Sequence, residues 1–320
     1  LYFSDHQTTG MQHVIILCPL YNDEESFRQF AAHITTETAK LDGYRFSLLL
    51  VNDGSIQKPV LTASLPLTIL HLHRNLGHQK ALAIGLSYAW KELVFDNIIV
   101  MDCDGEDRPA DLGPLLNAGS SGIAAVARRR KRQEGARFRM YYLLYKFFFR
   151  LLTGGKISFG NFMVLPKKEV GRLVHHSEIW SHLAGGLLKS GIAYTTVTTD
   201  RGKRYAGSSK MNFPALLLHG LGAIGVFIEV IAGRLLVFSV TMICLSLLAI
   251  AIVVAIRFFT DLAIPGWATT AVSSLLIVLL QSFLLSLFTI FLYLSSQAQR
   301  KIIPAHHYAD YVQSVETAHG

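Results

Sequence analysis

The sequence predicts an α/β domain followed by a membrane-spanning helical part. Three observations carry that expectation. Apolar runs of strand length alternate with helix-length segments from His13 to about residue 200. The character of the chain changes near residue 213, and two long uncharged stretches follow. Composition agrees: of 320 residues, 51% are hydrophobic and 16% charged, where a soluble domain carries about 25% charged residues. Aromatic richness with so little charge excludes disorder. Cys18, Cys103 and Cys244 form no CxxC pair and no even framework, so neither disulfide staples nor a structural zinc site is expected.

The elements follow in order. Residues 1–10 are polar and are set apart as disordered or tag-derived. They contain no apolar run behind a basic start, so no signal peptide is expected. Residues 14–18 form a short apolar run closed by Pro19, a buried strand by pattern. Residues 24–40 read as a helix, and 46–51 as a second strand stopped by Asn52-Asp53-Gly54-Ser55. Residues 67–72 are a third strand, 80–93 a helix, and 97–101 a fourth strand ending in acids. Residues 122–127 are a fifth. Strands bounded by turn residues and alternating with helices imply a mostly parallel, Rossmann-like sheet. Ligands of such sheets bind outside the carboxyl ends of the strands, where the polar clusters after strands one, two and four fall.

Leu235 to Ile256 is 22 residues without a charge, and Leu262 to Gln299 is a second uncharged stretch, apolar over about 272–294. About 20 apolar residues span a bilayer. Lys210, Arg234, Arg300 and Lys301 flank the pair on its outer sides, so the positive-inside rule predicts both termini and the α/β domain in the cytoplasm. The segment 214–231 carries one charge, Glu229, and runs into Leu235 with only Gly233-Arg234 between. It is expected to lie in the membrane interface, with a third span as the alternative. The predicted organisation is therefore an α/β domain over 11–212, an interfacial helix over 213–233, a two-helix membrane domain over 234–299 and a cytoplasmic tail over 300–320.

Net charge is +8, and it is local. Residues 128–150 hold nine Lys/Arg and one acid, Glu134, which equals the surplus of the whole chain. Within this segment Arg139, Lys146 and Arg150 fall on one helical stripe, and Met140 to Phe149 are otherwise aromatic and aliphatic. That pattern suits a helix seated in the interface of an anionic bilayer, with cations at headgroup level. Nucleic acid is not an expected partner, because the aromatics are contiguous rather than interleaved with cations as stacking platforms.

Asp102-Cys103-Asp104-Gly105-Glu106-Asp107 places four acids in six residues directly after a strand. Such a loop needs cationic company, and Mg²⁺ commonly takes one or two carboxylates plus substrate phosphates. Pro19-x-Tyr21-Asn22-Asp23-Glu24, Val51-Asn52-Asp53-Gly54-Ser55, Arg74-Asn75-x-Gly77-His78-Gln79-x-Ala81 and Asp102-x-Asp104, in this order, resemble family 2 glycosyltransferases of GT-A fold. Arg204-x-x-Gly207-x-Ser209-Lys210-Met211 ahead of two spans is similar to the polyprenyl-phosphate glycosyltransferases, of dolichyl-phosphate mannose synthase or bacterial undecaprenyl-phosphate type. No Gln-x-x-Arg-Trp occurs, unlike the processive polysaccharide synthases.

The resemblance implies roles. Pro19, Tyr21 and Glu24 would line the nucleotide pocket, Asp53 would contact the base, and Asp102 the ribose or diphosphate. Asp104 would hold Mg²⁺ or Mn²⁺ against the diphosphate of a UDP- or GDP-sugar. Glu106 adds a charge where the family often has a neutral amide, so it joins Asp104 as a candidate metal ligand. Asn161, in Ser158-Phe159-Gly160-Asn161-Phe162, stands where several members carry an ionisable side chain, and it cannot act as a base. His78 is expected as a polar loop residue or helix cap. The implied acceptor is a polyprenyl phosphate, whose second pKa of about 6 leaves it anionic without a base. Arg128, Arg132, Arg137, Arg139, Arg204, Ser209 and Lys210 are its candidate ligands, with Arg128, Arg204 and Lys210 foremost. The implied reaction is a metal-dependent, inverting displacement at a bacterial inner membrane rather than the endoplasmic reticulum. The alternatives are transfer to a glycolipid or diacylglycerol hydroxyl, or an inactive nucleotide-sugar-binding membrane protein. Homo-oligomerisation is left open.

Overall fold

The computed structural model describes residues 10–57, 59, 61–130, 147–155, 157–207, 220–260, 264 and 266–318. The chain divides into two compact units. The first comprises residues 1–141, 156–226 and 301–320, and the second 142–155 and 227–300.

The first unit is built on an eight-stranded sheet of order β7-β5-β6-β4-β1-β2-β3-β8. Its elements are β1 (Gln12–Leu20), α1 (Glu24–Thr38), β2 (Tyr44–Asn52), β3 (Leu67–Leu72), α2 (His78–Glu92) and β4 (Asn97–Val100). They continue with α3 (Leu112–Gly119), β5 (Ala124–Arg129), β6 (Met163–Pro166), α4 (Lys167–Leu173), α5 (Leu183–Lys189) and β7 (Tyr194–Thr199). β8 (Val312–Ala318) returns from the C-terminus. β1 pairs parallel with β2 and β4, and β2 parallel with β3. β6 is reversed, antiparallel to both β4 and β5, and β8 is antiparallel to β3.

β1 reads as an unbroken apolar run because both its faces are covered. Val14, Ile16 and Cys18 pack with Phe27, Phe30 and Ile34 of α1 and Leu112 and Leu115 of α3. Ile15 and Leu17 pack with Ala81, Leu82 and Leu86 of α2 and with Leu173, Leu183 and Leu187. Helices on both faces make a three-layer α/β unit. The five strands expected from the sequence are present: β1 and β2 run longer, β3 matches, β4 stops one residue earlier and β5 is shifted two residues onward; β6, β7 and β8 complete the sheet.

The C-terminal residues depart from expectation. Residues 301–318, expected as a tail, fold onto the α/β unit. Pro304–His307 is a helical turn whose Ala305 is buried in the core and donates its N–H to the Val174 carbonyl at 3.1 Å. β8 then pairs antiparallel with β3. The segment covers what would otherwise be an open sheet edge, with unpaired backbone groups.

The second unit contains α6 (Ile228–Phe259) and α7 (Trp267–Ala298), 32 residues each, long and apolar enough to cross a membrane. Only 17% of the most apolar window of each is buried, whereas a core helix of a soluble protein would be mostly covered. The helix begins earlier than expected. It passes through Gly233-Arg234 without a break, so the boundary between an interfacial helix at 213–233 and the first span is not observed. Among described residues, that stretch is a helical turn at 220–225, a turn at 226–227 and the start of α6. A glycine costs a helix interior only about 1 kcal/mol, too little to interrupt an apolar helix of this length. Of the basic aromatic segment, 147–153 is helical and 131–146 lies outside the described residues. Arg234 donates from Nη1 to the Leu151 carbonyl at 2.5 Å and more weakly to that of Arg150, closing the end of this short helix.

Candidate active site

The topology brings five chain segments to one edge of the sheet. β1, β2 and β4 run parallel. β5 is antiparallel to β6, itself antiparallel to β4, so β5 points the same way, and β7 runs parallel to β5. Their carboxyl ends deliver Tyr21–Asp23, Asp53–Ser55, Asp102–Asp107, Arg128–Arg129 and Asp200–Arg204. β1 is where the strand order reverses direction, the position at which sheets of this kind open a ligand crevice.

The acidic loop receives its cations from the protein itself. Arg204 places Nη1 3.0 Å from Asp104 Oδ2 and Nη2 3.1 Å from Asp23 Oδ2, joining the loops after β4 and β1. Arg129 pairs with Asp107 at 2.7 Å and Glu106 at 3.3 Å, and Arg201 also pairs with Glu106. The backbone reinforces the turn: Glu106 N–H donates to Asp104 Oδ1 at 2.9 Å, and Asp102 N–H to Asp107 Oδ2 at 3.1 Å. Asp23 is the N-cap residue of α1, but its side chain makes no cap bond and instead meets Arg204.

Asp102 is the acid without an arginine at contact distance among the described residues. Burial, and then the neighbouring Asp104 carboxylate, push its pKa up to about 7, even though a third of the side chain remains open to solvent. Asp107 is raised to about 6, first by burial and then by Asp102. His78, first residue of α2, sets Nε2 3.7 Å from Asp102 Oδ1. Burial lowers its pKa below the ordinary histidine value, so the ring is neutral at pH 7. The Asn161 amide lies 2.8 Å from the same Nε2. With Asn161 as donor, Nε2 accepts and Nδ1 carries the proton. The residue expected as a loop or cap position therefore sits beside the acids.

Asp53 is buried and its carboxylate is fully engaged. Oδ1 accepts from Leu76 N–H at 2.7 Å and Oδ2 from Gly77 N–H at 2.9 Å. It holds the turn at the start of α2. Gly54, at φ +66°, lets the two loops touch, because a side chain there would collide with the backbone of Arg74 and Asn75. The loops after β1 and β2 are tied in turn: Asn22 N–H donates to Ser55 Oγ at 3.0 Å, and Ile56 N–H to Asn22 Oδ1 at 2.9 Å.

Of the residues expected at a site, the structure gathers Asp53, Asp102, Asp104, Glu106 and Arg204 at this edge. Pro19 is the penultimate residue of β1, and its carbonyl accepts from the Cys103 thiol at 3.5 Å. Tyr21 is exposed at 39%, and Glu24 opens α1 with Arg28 at 3.8 Å. The carboxylate of Glu106, a candidate metal ligand, is paired with Arg129 and Arg201, as that of Asp104 is with Arg204. On β5, alternation along the strand turns Arg129 rather than Arg128, a candidate acceptor-phosphate ligand, onto the acids. The period-two pattern Ala125, Ala127, Arg129 on the α1 side carries that signal. Arg132, Arg137, Arg139, Ser209 and Lys210 lie outside the described residues. Sequence reasoning missed Asp23, Arg129 and Arg201, whose partners are remote in the chain.

Among the described residues, no three His, Cys, Asp or Glu side chains form a ready-made cation cage. Asp102 and Asp104, whose pKa values are both raised, are nonetheless a carboxylate pair that a divalent ion would relieve. A two-carboxylate site completed by phosphates is the usual way Mg²⁺ is held, and the donor set fits it.

The comparisons agree with this geometry. Residues 15–166 match the family described as Glycosyl transferase family 2. An uncharacterized glycosyltransferase of Bacillus subtilis strain 168, YkcC, is 26% identical over 272 residues, covering 82% of both chains. The undecaprenyl-phosphate 4-deoxy-4-formamido-L-arabinose transferase of Proteus mirabilis strain HI4320 is 27% identical over 133 residues, 39% of each chain. Among solved structures, glucosyl-3-phosphoglycerate synthase from Mycobacterium tuberculosis, crystallised with Mn²⁺, UDP-glucose and phosphoglyceric acid, superposes with a TM-score of 0.50. It is 13% identical and covers 69% of this chain and 80% of that one, a likeness of fold. The chain therefore carries a family 2 glycosyltransferase domain of GT-A fold, and the protein is a glycosyltransferase.

Proposed function

We propose that the protein transfers a sugar from a UDP- or GDP-sugar to the phosphate of a membrane polyprenyl lipid, by one inverting displacement. The observation that carries this reading is Arg204, which bridges Asp104 and Asp23 beside Asp102 in a chain with two helices of membrane-spanning length. Acids at the strand ends suit a nucleotide diphosphate with its cation. An arginine among them suits the anionic groups that donor and acceptor bring. The undecaprenyl-phosphate transferase relative supports the acceptor class, and the solved fold neighbour with Mn²⁺ and UDP-glucose supports the donor class. The two long helices support a membrane location, with the catalytic domain on the cytoplasmic side of a bacterial inner membrane.

The chemistry follows from the charges. A phosphate monoester is largely a dianion at neutral pH, so its oxygen attacks the anomeric carbon without a base. Neutral His78 and the amide of Asn161 are compatible with that demand. Arg204, with Arg128, Arg132, Arg137, Arg139, Ser209 and Lys210 as further candidates, orients the acceptor phosphate through charge-assisted hydrogen bonds. Pro19, Tyr21, Glu24 and Asp53 would frame the nucleotide. A Mg²⁺ or Mn²⁺ ion held by Asp104 and Asp102 would supply Lewis-acid stabilisation of the departing diphosphate.

The test uses the full chain in detergent with Mg²⁺ or Mn²⁺, radiolabelled UDP- and GDP-sugars, and undecaprenyl or dolichyl phosphate. Transfer to the lipid phosphate is expected, and Asp104→Ala should lower it at least ~100-fold while the protein remains folded. Wild-type-like turnover of Asp104→Ala sinks the metal assignment. A second reading, transfer to a lipid hydroxyl, is favoured by His78, because a neutral imidazole beside Asp102 is equipped to act as a base. Labelling of a glycolipid or diacylglycerol instead of the polyprenyl phosphate would select it.

A further inference from the structure

The C-terminal strand reaches the loops of the candidate site through a buried histidine. His71, on β3, is 3% exposed. Its Nε2 lies 3.1 Å from Glu316 Oε2 on β8, and its Nδ1 lies 3.0 Å from the Asn52 amide nitrogen at the end of β2. Asn52 Oδ1 accepts from Ser55 N–H at 3.1 Å. Ser55 Oγ accepts from Asn22 N–H, and Asn22 Oδ1 from Ile56 N–H. The chain of bonds runs from residue 316 to the turn after β1.

Its polarity is determined from both ends, by the Glu316 carboxylate and by the Ser55 N–H, which can only donate. A carboxylate only accepts, so Glu316 holds the proton of His71 on Nε2. Nδ1 is then a lone pair and accepts from the Asn52 amide N–H. That fixes the amide with its oxygen toward Ser55 N–H. Without Glu316 the other tautomer is open. Nδ1–H would then face an Asn52 N–H, and turning the amide to relieve that contact would set a donor against the Ser55 donor. Either arrangement leaves a polar group unpaired in a buried place, which is costly.

We propose that Glu316 and His71 are positioning residues for donor binding. By fixing the histidine tautomer they fix the Asn52 amide, and with it the loops Asn52–Ser55 and Tyr21–Asp23 against which a nucleoside diphosphate would lie. The C-terminal segment, which follows both long helices in the chain, is thereby part of the donor-binding apparatus. This rests on the reading above that these loops bind the nucleotide of the donor.

The test measures binding of UDP and of GDP, with Mg²⁺, to the full-length protein in detergent by calorimetry, together with sugar transfer. Glu316→Ala should raise the nucleotide Kd and the donor KM about fivefold to tenfold, the worth of one part-buried hydrogen bond. The kcat at saturating donor should stay within about twofold, and Glu316→Gln, which keeps an acceptor oxygen for Nε2–H, should restore binding. Thr317→Ala, next on the same strand, should bind as wild type. His71→Phe keeps an aromatic ring, slightly larger, and removes both nitrogens. It should reproduce the effect, and the double variant should add nothing, which carries the test if Glu316→Ala fails to fold. An unchanged Kd in Glu316→Ala or His71→Phe, or no rescue by glutamine, overturns the inference while leaving the donor reading intact. If wild type binds neither nucleotide, the donor reading falls and this one falls with it.

Discussion

In the α/β unit Ile16, Phe30 and Leu70 are fully buried, whereas in the helical pair Leu248, Phe288 and Phe291 leave more than half of their surface open. The residue types are the same and the physics differs. In the sheet unit, water drives the side chains inward, at about 25 cal/mol per Å² of apolar surface removed. In α6 and α7 the large apolar side chains remain outside, and the buried positions include Ser239, Ser246, Ser286 and Thr289. Small residues at a helix seam with large ones outward is the arrangement favoured where the surrounding medium is itself apolar. Burial of the same large apolar residue types, added to the loss of charge along the chain, separates the two regions.

The sharpest way to break this comparison is a matched pair of truncations. Phe30→Ala should cost about 3–5 kcal/mol and lower the thermal midpoint of the full-length protein by many degrees. Phe291→Ala, at an exposed helix position, should stay within about 0.5 kcal/mol. Equal losses would mean that α7 is a packed core helix after all.

A smaller contrast concerns two arginines. Arg129 neutralises the buried Asp107 and the largely buried Glu106 in the α/β unit. Arg129→Ala should cost about 2 kcal/mol, because it leaves carboxylates without their charge-assisted bonds. Arg234 in the helical unit caps backbone carbonyls at an exposed helix end, and Arg234→Ala should cost about 0.5–1 kcal/mol. Thermal melts of both variants in one detergent check the order, and a reversed order would mean that solvent already screens the acidic loop.

The last contrast is pH dependence, and it belongs to the α/β unit. Folding raises the Asp102 pKa from 3.8 to about 7, so the folded state holds a proton that the unfolded chain releases. Stability contributed by this group is present below about pH 4 and is lost as pH rises toward 7. In a metal-free buffer the wild-type melting temperature should therefore fall between pH 5 and pH 8, and Asp102→Asn should flatten part of that fall. Identical slopes would show that Asp102 is ionised throughout.

The acidic loop was legible as a candidate site because four acids follow a strand end, and strand ends are where α/β sheets bind ligands. The arginines that answer those acids were only half legible. Arg204 sits within a recognisable motif. Arg129 required the period-two alternation of β5 to be read outward from Ala125 and Ala127, and Arg201 gave no local signal. His78 looked like a loop residue because its neighbours, Asp102 and Asn161, are 24 and 83 positions away.

The sequence by itself determined the alternation of strands and helices, the two long apolar helices and the acids after β4. Each depends on residues close along the chain, whose periodicity reports which face is covered. Tertiary structure alone decided that the C-terminal residues return as β8, and that Glu316 meets His71 across 245 positions. It also decided that Arg129 rather than Arg128 faces the acids. An edge strand half open to solvent needs little apolar alternation, so Val312–Ala318 shows almost none. Its place follows from the exposed edge of β3, which no local pattern encodes.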